Sequence, residues 1–272
     1  MINVSQSLNY FEIAALAERL ALAHGGAAPI DPEKIAAAEG IHFSYGSFPQ
    51  NFDGLLMYEE EKFRLVCNCR RHSRGSERSR FTFAHELAHY FIPPHRQALM
   101  AGQLALRLPQ QRRSAIEKES DLFAANLLMP AALFLQQADG LSGPALNRIR
   151  VLAETFGTSF TTTAYRALEL DLLPAPAAVL LWDSLGAPAG RRLSTATLEL
   201  GREYLTLISK PPSGSITARA IAQLAGGLYQ AETHIMDWFT DLDGYEREHQ
   251  ISLTEEVVSL NDHGWMTLIH PR

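Results

Sequence analysis

The chain has 272 residues, a formal net charge of -6, 46% hydrophobic residues and 20% charged residues. That length allows one large domain or two to three smaller ones, and the composition supplies ample apolar material for a core, which excludes wholesale disorder. The acidic total leaves only a local basic patch for nucleic-acid binding, and the two cysteines, Cys67 and Cys69, sit too close on one strand to staple the fold, so a disulfide framework is excluded.

The opening stretch carries no Lys or Arg before Arg19, and Asn9, Glu12 and Glu18 interrupt its apolar residues, so it does not read as a secretory signal. No apolar run approaches the ~18 residues of a membrane span. The expectation is a soluble, cytoplasmic protein with no membrane partner.

Taken in order, Leu8 to Ala23 repeats apolar residues at helical spacing and stops at Gly25-Gly26, which predicts a first helix. Asp31-Pro32-Glu33 signals the start of a second, shorter helix ending near Gly40. Ile41 to Phe48 and Gly54 to Cys69 are rich in aromatic and branched residues and read as a small antiparallel sheet. Arg80 to Tyr90, Ser114 to Leu128 and a segment from Pro130 to about Gln137 are helical in pattern. Ala145 to Phe156 and Ser159 to Leu170, joined by Gly157-Thr158, have the form of a helix-turn-helix. Beyond Pro174, strands are expected at Ala177 to Trp182, Tyr204 to Ser209, His234 to Phe239 and Trp265 to His270, with a helix at Thr217 to Leu224. The domain reading is therefore 1–130, 131–174 and 175–272.

The sharpest chemical feature is His85-Glu86-Leu87-Ala88-His89 inside a helical stretch. Residues four apart project from one helix face, so the two imidazoles can hold one Zn²⁺ while Glu86 stands beside them as general base. A third ligand is offered by Glu117-Lys118-Glu119-Ser120-Asp121 at the next helix, which would complete a two-His, one-Glu site with an open position for water. Glu117 is the expected ligand. Asp121, four residues on, shares its face and could fix the tautomer of a ligating imidazole, whereas Glu119 would point elsewhere.

The segment Arg80 to Tyr90, together with EKESDLFAANLLMP from Glu117 to Pro130, resembles the ImmA/IrrE family of zinc metallopeptidases. The likeness runs more loosely from the first helix to about Leu170, including LAETFGTSFTTTAYRALEL from Leu152, and is most similar to the radiation-response IrrE branch. The resemblance implies metal ligands His85, His89 and Glu117, a general base at Glu86, a zincin-like fold, and cleavage of a helix-turn-helix repressor that relieves repression of stress or DNA-repair genes. It also implies a GAF-like sensor fold for residues 177–272. The fold class expected is thus α+β: a mostly helical metallopeptidase domain with a small antiparallel sheet, a helix-turn-helix-like segment and a C-terminal α+β domain.

Cys67 and Cys69 share one face of a strand just before the metal helix, and a thiolate is an excellent zinc ligand. One of them, Cys69 foremost, could occupy the open position and hold the enzyme inactive; the alternative is that both are small buried hydrophobes. Arg70, Arg71, Arg74, Arg78 and Arg80 form a basic run broken only by Glu77. Arg70, Arg71 and Arg74 could bind an activating nucleic acid or an acidic substrate segment, or form a solvated loop. The helix-turn-helix segment carries only Arg148, Arg150 and Arg166 as cations, which favours a structural or docking role over base reading. Between Ala231 and Asp262 nine Asp or Glu stand against one Arg, so DNA binding by charge is not expected there. The rival to a repressor-cleaving zinc endopeptidase is a non-catalytic, zinc-containing DNA-binding regulator.

Overall fold

The computed structural model describes residues 8–49, 52–102, 110–173, 177–183, 188–194, 210–223, 227–239, 252–260 and 264–271. In chain order the elements are α1 (Tyr10–Ala23), α2 (Pro32–Ala38), β1 (His42–Gly46), β2 (Gly54–Glu59), β3 (Lys62–Asn68), α3 (Glu77–Phe91), α4 (Pro93–Met100), α5 (Gln110–Leu128), α6 (Ala131–Ala138), α7 (Ala145–Phe156) and α8 (Phe160–Glu169). They continue with β4 (Ala177–Trp182), β5 (Pro188–Ser194), α9 (Ile216–Gln223), β6 (Leu228–His234), α10 (Ile235–Trp238), β7 (Ser252–Ser259) and β8 (Trp265–Pro271). The class is α+β. Residues 1–137 with 153–159 form one compact unit, and residues 138–152 with 160–272 form another. Among the described residues no helix is long and apolar enough to cross a membrane.

In the first unit, α1 is started by a capping box: the Asn9 side chain accepts the Glu12 amide at 3.0 Å, and the Glu12 carboxylate accepts the Asn9 amide at 2.8 Å. Its buried face is Ile13, Ala17 and Ala21, and the helix packs against α5. Asp31 caps α2 through the amides of Glu33 and Lys34, with Pro32 in the first turn. Ser76 accepts the Ser79 amide to open α3, which is buried on most of its circumference between the small sheet and α5. Phe83 of α3 meets the rings of Phe43 at 5.2 Å and Tyr45 at 6.2 Å, and the burial of such a side chain contributes roughly 1.5–3 kcal/mol.

The small sheet has the order β1-β3-β2 and is mixed, not antiparallel. β2 and β3 form a hairpin through Glu60-Glu61, both with positive φ (51° and 59°), the turn geometry that matches strand twist. β1 lies on the other side of β3 and runs parallel to it, His42 opposite Arg64 and Gly46 opposite Asn68. The stretches Ile41 to Phe48 and Gly54 to Cys69 are not simply antiparallel neighbours, because the β1–β2 link crosses to the far side of β3. Asn68 holds that crossing: it accepts the Phe48 amide at 3.0 Å and donates to the carbonyls of Phe48 (3.2 Å) and Phe52 (2.9 Å). A side-chain tie of this kind leaves no trace in strand periodicity.

In the second unit a five-stranded antiparallel sheet has the order β5-β4-β8-β7-β6. Alternation along the strands gives it two distinct faces. On one, Ala178, Leu180, Trp182, Leu253, Val257, Trp265 and Ile269 form a core with Ala220 of α9 and with Ile235, Trp238 and Phe239. On the other, α8 packs against β4 and β5. The helix-turn-helix segment thus has Thr163, Ala164, Arg166, Ala167 and Leu168 of its second helix buried, and Arg166 lies 3.6 Å from Glu169.

β4, α9 and β8 fall where the sequence places them, whereas α4, β5, β6 and β7 were not anticipated. His234 to Phe239 is not a strand: β6 ends at His234 and one helical turn follows, with Asp237 accepting the His234 amide at 3.2 Å and the Thr233 hydroxyl at 3.3 Å. The strand expected at Tyr204 to Ser209 lies outside the described residues. β7 escapes strand patterning because Glu255 and Glu256, consecutive and acidic, are both buried.

Each of these two carboxylates caps a helix on its own side of the sheet. Glu255 accepts the amides of Ile216 (3.3 Å) and Thr217 (2.7 Å) at the start of α9. Glu256 accepts those of Ala145 (2.8 Å) and Leu146 (2.7 Å) at the start of α7, and lies 3.1 Å from His270 Nε2. Burial pushes the Glu256 carboxyl up, but His270 and the two amides outweigh it and hold the group below its ordinary value. Its stabilising contribution is therefore present above the usual carboxylate range and lost as pH falls through the depressed value. Glu256→Ala strands two buried amides and should lower unfolding free energy by about 2–4 kcal/mol at neutral pH; denaturant titrations should show the gap to wild type narrowing in acid.

Candidate metal centre

α3 presents His85 and His89 one turn apart, with ring centroids separated by 5.4 Å. α5 packs against α3 and brings in Glu117, and the candidate ligand atoms of His85, His89 and Glu117 all lie within 4.8 Å of one another. His85 Nε2 is 3.2 Å from Glu117 Oε2. Two donors each about 2.0–2.1 Å from a tetrahedral ion stand about 3.3 Å apart, so this separation and this donor set fit a divalent metal. These three residues could form a metal site.

Asp121, also on α5, lies 2.8 Å from His85 Nδ1, the outer-partner position of a ligating imidazole. Burial opposes protonation of His85, but Asp121 and Glu117 outweigh it and raise its pKa to about 10. His89 is shifted the other way by burial, then by His85 and His95, and stays neutral. Burial pushes the Glu86 carboxyl up to about 7, against the charge of His85 and a hydrogen bond from the Leu56 backbone. A carboxylate poised near neutrality is matched to taking a proton at physiological pH.

Two features beside Glu86 and the imidazoles were not legible in the sequence. Strand β2 runs directly against α3, and a Cβ added at Gly54 would stand 2.6 Å from Thr82 Cγ2, 2.8 Å from Glu86 Cγ and 2.9 Å from Glu86 Oε1. Only glycine leaves room for the Glu86 side chain. His95, at the first turn of α4 and almost fully buried, lies 2.8 Å through Nε2 from Glu119, with its ring 5.2 Å from that of His89 and tilted by 41° to it. Glu119 does point away from the ligand group, but onto a histidine.

The cysteines sit elsewhere. Among the described residues neither sulfur joins the group of ligand atoms around His85, His89 and Glu117. Cys67 is buried between Tyr45 and Gly54 on the neighbouring strands, and burial, then Glu86 and Cys69, push its thiol up to about 12. Cys69 is half-buried at the end of the sheet, its amide bonded to Gly46.

Most of the basic run is tied into the fold. Arg74 pairs with Glu33 at 2.5 Å and covers the Tyr45 ring at 4.8 Å. Arg78 pairs with Asp53 at 2.6 Å, and Arg70 donates to the Pro49 carbonyl at 2.9 Å. Arg80 donates to the carbonyls of Ile30 (2.6 Å) and Gly157 (3.1 Å), which makes it a structural tie. Arg71 is exposed.

The fold and site define an α+β protein with a candidate two-His, one-Glu metal centre on an HExxH helix. Residues 39–168, a little under half of the chain, match peptidase family M78, described as the IrrE N-terminal-like domain. That match supports kinship of this segment with the ImmA/IrrE metallopeptidases. No curated protein matches the sequence. Among solved structures, a Mycobacterium tuberculosis transcriptional regulator is similar with a TM-score of 0.60 and 17% identity, over 94% of this chain and 75% of that one; this likeness concerns the fold alone.

The close approach at Gly54 gives a direct test. Gly54→Ala forces Thr82 and Glu86 to shift and should cost about 1–3 kcal/mol of stability. Because His85, His89 and Glu117 are untouched, the variant should retain metal affinity within a few-fold, as read by chelator competition beside thermal unfolding.

Proposed function

We propose that the protein is a zinc-dependent endopeptidase that cleaves a helix-turn-helix transcriptional repressor and thereby induces stress or DNA-repair genes in the cytoplasm. The observation that carries the reading is the grouping of His85, His89 and Glu117 around one point, with the buried carboxyl of Glu86 on the same helix. The M78 match over residues 39–168 supports a peptidase role. In this reading residues 1–130 form a zincin-like catalytic domain, 131–174 a helical segment that docks substrate or braces the fold, and 175–272 a GAF-like sensor or dimerisation domain.

A zinc ion held by the three residues would acidify its bound water and polarise the scissile carbonyl. The chain supplies the rest. Glu86 takes the proton of the attacking water and can return it to the leaving amine. Leu56 of β2 fixes its carboxylate by a backbone hydrogen bond, and Gly54, with no side chain, leaves it room. Asp121 holds His85 with Nδ1 outward. Arg71 remains an exposed cation for an acidic substrate segment or an activating nucleic acid, whereas Arg70 and Arg74 would first have to leave Pro49 and Glu33. Inhibition by Cys69 or Cys67 would require a rearrangement of β3, since neither sulfur joins the ligand group.

The second reading, a non-catalytic zinc-containing DNA-binding regulator, draws on the name of the Mycobacterium tuberculosis structure. Burial of α8 weighs against base reading by that helix. Glu86→Gln decides between the two: incubated with a candidate repressor from the same cell, it should bind zinc as wild type does and lose cleavage by at least two orders of magnitude. Unimpaired function of that variant would sink the peptidase.

Zinc binding should also release protons. With the His85 pKa near 10, the ring is protonated in the metal-free protein and must surrender that proton to become a ligand. Calorimetry at pH 8 in buffers of different ionisation heat should report about one proton released, and affinity should rise with pH until the His85 value is passed.

A further inference from the structure

Ser120 on α5 is fully buried and stands one residue before Asp121. Its Oγ donates to the carbonyl of Ile116, one turn back, at 3.0 Å. A hydroxyl has a single proton. Once that proton is committed to Ile116, the oxygen can serve its other neighbour only as an acceptor. That neighbour is His89 Nδ1, at 3.5 Å, long beside the 2.8 Å contact of Asp121 with His85. With the hydroxyl proton on Ile116, the buried imidazole can bond Ser120 only by donating from Nδ1, which leaves Nε2 as its lone-pair donor.

The ring has little freedom to choose otherwise. It lies between His85, at 5.4 Å, and His95, at 5.2 Å, and His95 is anchored by Glu119. Glu119, Ser120 and Asp121 thus engage three histidines in succession, one each. Asp121 serves Nδ1 of His85 at 2.8 Å; Ser120 plays the same part for His89 with a neutral acceptor.

We propose that Ser120 is a positioning residue of the metal centre, which holds His89 in the Nδ1–H tautomer with Nε2 free for the ion. This rests on the metallopeptidase reading of His85, His89 and Glu117. Loss of an outer hydrogen-bond partner of a ligating imidazole typically weakens metal affinity about 10- to 100-fold.

The test is nitrogen-15 NMR of the imidazoles in the metal-free full chain, combined with zinc titration against a chromophoric chelator. Wild type should show His89 protonated on Nδ1. Ser120→Ala, which only deletes an oxygen, should populate the Nε2–H form and bind zinc about 10- to 100-fold more weakly. An Nε2–H tautomer in wild type overturns the assignment without any variant. So does an unchanged tautomer or an unchanged zinc affinity in folded Ser120→Ala. A wild-type chain that binds no zinc overturns the metallopeptidase reading instead, while the tautomer of the metal-free protein still decides the contact of Ser120.

Discussion

The packing of α5 against α3 is the constraint on which the candidate metal centre depends. A single helix can carry two imidazoles one turn apart, but it cannot give them a third donor or partners for their outer nitrogens. α5 supplies both from five consecutive residues: Glu117 at the ligand position and Asp121 on His85, with Ser120 and Glu119 reaching His89 and His95. Such a row works only if the two helices approach closely and keep one axial register. The small buried residues Ala17 and Ala21 of α1 permit a close approach on α5, and Arg80 ties the first turns of α3 to three carbonyls of other segments. A shift of α5 by one residue would rotate each donor by about 100° and dissolve the group.

Glu86 poses the opposite problem, a carboxyl held out of water. Burial of an ionisable group raises the energy of its charged form, and the rise to about 7 expresses this. The group is held where it is by β2, an edge strand that offers a backbone hydrogen bond from Leu56 and, at Gly54, the absence of a side chain. The helix thus carries the carboxyl while the strand fixes its position and its environment. The same edge is continuous with the Asp53–Arg78 pair, so the start of β2 is tethered to the first turn of α3.

Sequence patterns reveal what depends on local spacing. His85, Glu86, His89, Glu117 and Asp121 could be read because i,i+4 positions share a helix face and because those residue types have few reasons to cluster otherwise. His95 and Gly54 could not, since their meaning lies in residues of another element. The basic run shows the same limit from the other side. As a string it reads as a patch, but Glu33, Asp53 and the carbonyls of Ile30, Pro49 and Gly157 neutralise or occupy most of it. The parallel placement of β1 was hidden for a related reason, because it rests on Asn68 and not on the strands' own alternation.

The second unit shows how a strand with an illegible pattern can still have a fixed register. β7 reads Leu253-Thr254-Glu255-Glu256-Val257-Val258, so a slip by one residue would again put a glutamate and a valine on each face. Yet only one of the two helix caps would still find a carboxylate at its own level of the strand, because the neighbour brought to the other cap is Thr254 or Val257. The core adds to the discrimination: Leu253 lies wholly in the apolar core with Trp182, Trp238 and Trp265, whereas Thr254 occupies the opposite face. A slip in either direction brings Ser252 or Thr254 to the place of Leu253, losing about 1.5–3 kcal/mol of leucine burial and placing a hydroxyl among tryptophans. It would also separate Glu256 from His270, which sits beside it through the pairing of β7 with β8. The two caps, one apolar side chain and one imidazole thus select the register together.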